Sequence, residues 1–455
     1  MDSDSYKRLK EDFVSNLSGT SMLEISALSF LFPAFLLLFK CHQVSSGAEM
    51  HRKEGVKTHL FRNLIVEFTF IVIPTLSVLT ILNEKVYLLT SVLFCGLAST
   101  IFMKRKHFEC HETLSKDKNW PNSTNLQFLS SYRFIVMLVT CLSILSVDFN
   151  IFPRRYAKAE TYGTGLMDVG VGSFVTVNAI VSRKARGISE LRGNTVGNTA
   201  PLIVLGFARL LSTKQVDYQV HVGEYGVHWN FFFTLAAVTL LTSIVEIPAH
   251  LSGIAGGSIL IAYQFCLLGH LNNFLNSAER GSNLITQNKE GIFSLFGYWG
   301  LYLLGIQLGH FLFKSRKRVG EGGLARLKYM ISIWSLTVLF WFLAWIFDRF
   351  VEKTSRRSCN LTYALFILAV NLQGIGVLVV SDAFPNMNLL TVERIFTENM
   401  LATFLIANVL TGLVNLSINT IFAPASMAFG VLLLYALVLL LGMGIINSLK
   451  IKIKV

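Results

Sequence analysis

Charge is what this chain has least of. Only 15% of its 455 residues are Asp, Glu, Lys or Arg, against roughly 25% for an ordinary soluble domain. That deficit excludes a soluble globular protein, a disordered chain and a nucleic-acid binder. Cysteine is sparse too: Cys41, Cys95, Cys110, Cys141, Cys266 and Cys359 include no close pair, which excludes a zinc ribbon and a disulfide scaffold. There is no phosphate-binding P-loop, no dinucleotide fingerprint and no Gly-x-Ser-x-Gly elbow. Gly170-Val171-Gly172 falls inside an apolar run and reads as small-residue helix packing. No histidine has an aspartate five residues on, so the soluble-type glycerolipid acyltransferase motif is missing. The longest loop, roughly 104–130, leaves no room for a separate soluble domain.

What is present is apolar. Hydrophobic residues make up 53% of the chain, the mean hydropathy is +0.55, and runs near 20 residues recur from end to end. Each is long enough to cross roughly 30 Å of hydrocarbon as a helix. The expected fold is therefore an all-α polytopic membrane protein, a single multispanning domain over 1–455 with about thirteen helices and short loops. The spans are expected near 23–39, 64–82, 86–103, 131–147, 163–182, 199–211, 229–247, 252–270, 292–313, 329–347, 360–380, 399–421 and 427–447. The sixth is short and carries Arg209.

The net charge of +13, from 40 basic and 27 acidic residues, suits loops that face the cytoplasm and anionic lipid surfaces. An odd span count puts the termini on opposite sides. The richer set of Lys and Arg loops then places residues 1–22 outside or in a lumen and the basic tail 448–455 in the cytosol. No cleavable leader is expected, because the opening is acidic and polar until Met22 and the first apolar run contains Pro33. Asn16-Leu17-Ser18 is a lumenal sequon close to the first span, and Asn122-Ser123-Thr124 falls on the cytoplasmic side. The tail Lys450–Val455 misses dilysine spacing by one residue.

Four polar clusters stand at span ends, where membrane proteins keep their chemistry. They are 148–168, 218–230, 288–294 and 355–360. They lie in the fourth, sixth, eighth and tenth loops, so parity puts them on one membrane face, and one shared site is the economical reading. The alternative is that each caps its own helices. In the first cluster Asp148 closes an apolar helix, where burial would make it a better base. Lys158 can polarise a thioester carbonyl, and Arg154 and Arg155 suit a phosphodiester. The alternatives are a helix-terminal ion pair for Asp148 and a lipid-headgroup anchor for the arginines. In the second, His228 and Asn230 flank Trp229; His228 suits either a second base or an interfacial hydrogen bond. His221, Glu224 and His228 lack the spacing of a metal site. Glu67 and Glu246 could mark an ion path or pair with neighbours such as Arg62 or Arg209.

Several segments together resemble one family. They are Glu11–Gly19 with Glu24-Ile25, Asp148-Phe149 with Ile151–Lys158, Met167-Asp168 with Gly170–Val175, Tyr218-Gln219, Glu224–Phe232, Lys289–Ile292, and Leu405–Asn408 with Thr411–Asn415. The chain resembles, over nearly its whole length, the glucosaminyl-phosphatidylinositol inositol acyltransferases. Asn150, Tyr156 and Lys289 depart mildly from that family's pattern. The resemblance implies a multispanning enzyme of the endoplasmic reticulum membrane. It would move a fatty acyl group, typically palmitoyl from palmitoyl-CoA, to the inositol 2-hydroxyl of glucosaminyl-phosphatidylinositol, with no cofactor beyond the acyl-CoA co-substrate. It implies Asp148 and Lys158 as the catalytic pair, and Arg154, Arg155, His228, Asn230, Asp168 and Glu224 as substrate-binding. The rival expectation is a lipid transporter or flippase, against which no inverted repeat is found; a non-catalytic subunit is a third.

Overall fold

A computed structural model describes residues 9, 12–13, 15–45, 56–112, 126–188, 194–215, 222–277, 279–318, 323–383 and 387–449. The Asn122 sequon, Tyr218-Gln219, His221 and the tail from Lys450 lie outside the described residues. The described chain is helical; its only β pairings are isolated bridges from Gly19 and Thr20 to Thr164. In lipid every backbone polar group must find its partner internally, and helices achieve this.

The chain divides into two compact units, one of residues 22–153 and 373–454, the other of 1–21 and 154–372. The first opens with α1 (Met22–Ser45), α2 (Val56–Glu67), α3 (Ile73–Leu79), α4 (Val86–Glu112) and α5 (Gln127–Ser146). A π-turn at Phe68–Val72 joins α2 to α3 and brings in Pro74, which has no N–H to give. Hydroxyls inside these helices turn back on their own backbone: Thr75, Ser77 and Thr80 donate to the carbonyls of Ile71, Ile73 and Leu76.

The second unit carries α6 (Leu166–Ile180), α7 (Asn194–Gln215), α8 (Val222–Tyr225), α9 (Phe231–Ile244), α10 (Ser252–Cys266), α11 (Asn272–Asn276), α12 (Leu284–Gln287), α13 (Lys289–Arg318) and α14 (Gly323–Phe350). The division between units falls within α15 (Leu361–Val379). The chain then completes the first unit with α16 (Thr391–Glu398), α17 (Met400–Ser417) and α18 (Ala425–Ser448).

Among the described residues ten helices are long and apolar enough to cross a membrane. The expected count of thirteen is not reached at three places: at 163–182, 199–211 and 229–247 the apolar helices are shorter, Leu166–Ile180, Thr199–Leu211 and Phe231–Ile244. At 1.5 Å per residue α6 and α9 cover about 20 Å, less than the hydrocarbon thickness, while Thr199–Leu211 is the apolar part of the longer α7. Polar anchoring sets where α6 and α9 begin. Residues up to Gly165 are held in a loop, and the Asn230 side chain starts α9 by accepting from the Phe232 and Phe233 N–H groups.

In the first unit the buried charges are matched. Lys40 pairs with Glu393 at 2.8 Å and donates to Ser131 Oγ. Glu67 accepts the N–H groups of Thr391 and Val392, capping α16. Its carboxylate thus serves a helix N-terminus, and the sequence-based pairing with Arg62 or Arg209 is replaced by that cap. In the second unit α13 packs on α10 and α6 through glycines: a Cβ on Gly300 would lie 3.0 Å from the Gly256 carbonyl, and one on Gly309 2.2 Å from that of Ile180. Gly172 packs against Ile367 and the Tyr363 hydroxyl, the small-residue role its sequence suggests.

Candidate active site

The site is built where the second unit's helices give way to loops. The opening segment of the chain is strapped onto the 159–164 loop. The Glu160 N–H donates to the Leu17 carbonyl, the Thr20 N–H to the Thr164 carbonyl, and the Asn16 N–H to the Glu160 carboxylate at 2.7 Å. Gly163, at φ +139°, permits this approach; a Cβ there would stand 1.8 Å from the Ser18 carbonyl oxygen. On its other side the loop is held by residues 354–355: the Gly163 N–H donates to the Thr354 carbonyl and the Ser355 hydroxyl to that of Thr161.

Arg356 rises from that second contact and is almost wholly buried. Its Nε donates to Asp168 Oδ1 at 2.7 Å, and its Nη2 to Glu224 Oε1 at 3.1 Å. Asp168 Oδ2 meanwhile accepts the Ala159 and Gly165 N–H groups, both at 2.9 Å, fixing the loop that carries Lys158. Lys158 Nζ completes the chain at 2.8 Å from Glu224 Oε1. Burial alone would raise the Glu224 carboxyl; the Lys158 and Arg356 charges overcome it and pull its pKa from 4.5 to about 2. The two carboxylates hold the Arg356 guanidinium well above its ordinary value despite its burial. Burial pushes the adjacent Tyr225 phenol up to about 12.

A second network lies beside the first. Glu290 Oε1 takes Arg280 Nη2 at 2.7 Å and Arg357 Nη2 at 2.9 Å. Asn288 Oδ1 accepts the His228 and Trp229 N–H groups at 2.7 and 3.0 Å. The 154–168 part of the first cluster and the other three clusters are thereby tied together in one unit by Asp168, Glu224, Glu290 and Arg356 with Arg357. The reading in which each caps only its own helices gives way to a joined polar floor.

Lys158, Asp168 and Glu224 meet in it. His228 is half-buried and is held there by its backbone. Asn230 spends its side chain on the α9 cap and on the Gly206 carbonyl at 2.9 Å. Arg154 lies 3.9 Å from the Phe13 ring centroid and Arg155 5.1 Å from that of Tyr156. With His221 outside the described residues, the possible metal trio reduces to Glu224, engaged by two cations, and His228. Asp148 belongs to the other unit, where Asn415 Nδ2 donates to its Oδ2 at 2.7 Å. Arg356, Arg357 and Glu290 carry this floor, and Asn415 holds Asp148 in the other unit; the sequence assigns a role to none of the four. The signal for Arg356 was there: Asp168 and Glu224 each stand at a helix start, and two buried carboxylates demand a cation from elsewhere.

Comparison with known proteins accounts for nearly the whole chain. Residues 6–446 match the family model described as GWT1. An uncharacterized protein of Arabidopsis thaliana is 46% identical over 398 residues, covering 86% of this chain and 88% of its own. A phosphatidylinositol-glycan biosynthesis class W protein of Dictyostelium discoideum is 33% identical over an alignment of 498 residues that covers 99% of each. A glucosaminyl-phosphatidylinositol-acyltransferase of Bos taurus is 32% identical, with 95% of this chain and 96% of its own covered.

Proposed function

The chain belongs to the GWT1 family, and from that premise we propose that it is a membrane-bound inositol O-acyltransferase of glycosylphosphatidylinositol-anchor biosynthesis. The acceptor is the 2-hydroxyl of the inositol in glucosaminyl-phosphatidylinositol, and the donor is a long-chain acyl-CoA, palmitoyl-CoA in the first instance. The enzyme resides in the endoplasmic reticulum membrane with its N-terminus lumenal and C-terminus cytosolic, and needs no cofactor. The observation that carries this reading is the joined floor of Lys158, Glu224, Arg356 and Asp168, assembled from segments far apart in the chain at the ends of membrane helices.

An inositol hydroxyl is hardly ionised at neutral pH, so its attack on a thioester needs a base. Asp148 takes that proton as the hydroxyl oxygen bonds to the thioester carbon. The Lys158 ammonium, set by Glu224, stabilises the oxyanion as the carbonyl π-bond opens. The oxyanion then reforms the carbonyl, the carbon–sulfur bond breaks, and coenzyme A leaves as its thiol with a proton returned from Asp148. Asn415 holds the Asp148 carboxylate in place through a 2.7 Å hydrogen bond to its Oδ2. Arg154 and Arg155 supply positive charge near the acceptor headgroup. His228 orients substrate, Asp168 and Glu224 orient the cations, and Asn230 shapes the wall through its cap.

The test uses membranes of cells lacking their own activity, expressing this chain, with glucosaminyl-phosphatidylinositol and labelled palmitoyl-CoA. We expect a labelled glycolipid that resists phosphatidylinositol-specific phospholipase C, which cleaves through a free 2-hydroxyl. Asp148→Asn should lower turnover by at least about 100-fold at equal expression. No labelled product from folded protein would overturn the enzyme reading in favour of transport, and full activity in Asp148→Asn would remove the base.

A further inference from the structure

The acceptor carries its phosphodiester on the ring carbon next to the one whose hydroxyl is acylated. Whatever group binds that phosphate therefore stands within a few ångströms of the acyl-transfer centre. The sequence points to Arg154 and Arg155 for positive charge near the headgroup, and their guanidinium groups lie over the rings of Phe13 and Tyr156; the fold brings a further pair of arginines to the polar floor. Resting on the acyl-acceptor reading above, we propose that Arg357, with Arg280 beside it, is the site that binds the acceptor's phosphodiester.

Three observations support this. Glu290 is one carboxylate serving two guanidinium groups, Arg280 through both its oxygens and Arg357 through one. Arg280 Nη1 also donates to the Gln287 carbonyl at 2.9 Å and Arg357 Nη2 to the Leu275 carbonyl at 3.1 Å, and the other charged groups nearby have hydrogen bonds of their own or face solvent. Lys289 Nζ donates to the carbonyls of Phe274, Ser277 and Glu279 and to Ser277 Oγ. Glu352 takes three neutral donors, from Tyr162, Gln264 and Asn272, and Glu279 is exposed. Second, Arg357 Nε is buried with no hydrogen-bond partner among the described residues; a buried guanidinium N–H left so is costly, and a phosphate oxygen satisfies it. Third, position: Arg357 Nη1 lies 3.7 Å from where a Cβ on Gly223 would stand, and Gly223 precedes Glu224, the residue that holds Lys158 at 2.8 Å. The Arg357 side chain remains 12% exposed and that of Arg280 22%, so a ligand reaches both. A phosphate here places the neighbouring ring hydroxyl toward the Lys158 ammonium.

The same chemistry could come from the phosphates of coenzyme A, and the experiment separates the two. Arg357→Lys keeps a charge on Glu290 but loses the planar fork, and Arg280→Gln leaves Glu290 paired with Arg357; both spare the buried pairing that Arg357→Ala would destroy. In nanodiscs with each substrate varied, we expect the KM for glucosaminyl-phosphatidylinositol to rise about tenfold in either variant, with the KM for palmitoyl-CoA unchanged. A rise confined to palmitoyl-CoA, or unchanged values for both, overturns the proposal while leaving the acyltransferase reading intact. A second arm does not depend on turnover. Glycerophosphoinositol should raise the melting temperature of the wild-type protein while free inositol does not, and Arg357→Lys should lose that protection. Equal protection of both proteins, or none of the wild type, overturns the site even if no acyl transfer is ever seen.

Discussion

A buried arginine is tolerated where its charge is matched, and Arg356 is matched by Asp168 and Glu224 together. Glu224 in turn is shared with Lys158, which is why its carboxyl is held near 2. The consequence for stability has a definite sign. A carboxyl whose pKa is depressed by folding contributes its full stabilisation above about 4.5, and that contribution drains away as pH falls through about 2. Thermal unfolding of the detergent-purified protein should therefore be flat from this group between pH 5 and 8 and fall below 4.5. Glu224→Gln should melt lower at pH 7 and show a shallower acid decline; parallel declines in the two proteins would contradict the pairing. Asp168, Glu224 and Lys158 were legible as polar residues at span ends. Their mutual contact was not, because its keystone comes from the 351–360 loop, almost 200 positions from Asp168.

Helices here are positioned by what their glycines allow. A Cβ on Gly297 of α13 would sit 2.0 Å from the Cys359 carbonyl oxygen, a backbone atom with nowhere to go. That contact seats the 355–360 turn, and so Arg356 and Arg357, against α13. Gly257 of α10 has nothing within 4 Å of its Cβ position and serves as the control. Gly297→Ala should cost about 1–3 kcal/mol and lower both melting temperature and acyl transfer, while Gly257→Ala should leave both unchanged. Equal behaviour of the two variants would show that the close approach is not limiting. Sequence hydropathy marked both glycines as span residues and could not separate them, since closeness to a neighbouring backbone leaves no trace in composition.

Across the whole molecule, parity depends on the three shorter helices. Ten crossings would leave the termini on one side; an odd number would separate them. The proposed orientation, N-terminus lumenal and C-terminus cytosolic, was counted on thirteen spans, and it holds only with an odd number of α6, α7 and α9 completing a crossing. In sealed microsomes, an epitope at the N-terminus should resist protease and one at the C-terminus should be removed. Loss of both, or protection of both, would overturn the orientation. The chain's passage between its two units at Pro153 and Arg154 also means that Asp148 and Lys158, ten residues apart, belong to separate units with separate partners.

Sequence by itself determined the class and the address of the chemistry. Low charge and repeated apolar runs admit only membrane helices, because lipid offers no other partner for backbone N–H and C=O groups. Charged and polar residues in such a chain gather at span ends, so the four clusters were visible as clusters. Tertiary structure decided which of their side chains meet. Ion pairs such as Arg356 with Asp168 or Arg357 with Glu290, and hydrogen bonds such as Asn415 to Asp148, join residues 67 to 267 positions apart. Their geometry follows from helix packing over whole glycine-lined faces, a property of the folded chain that no local stretch of it encodes.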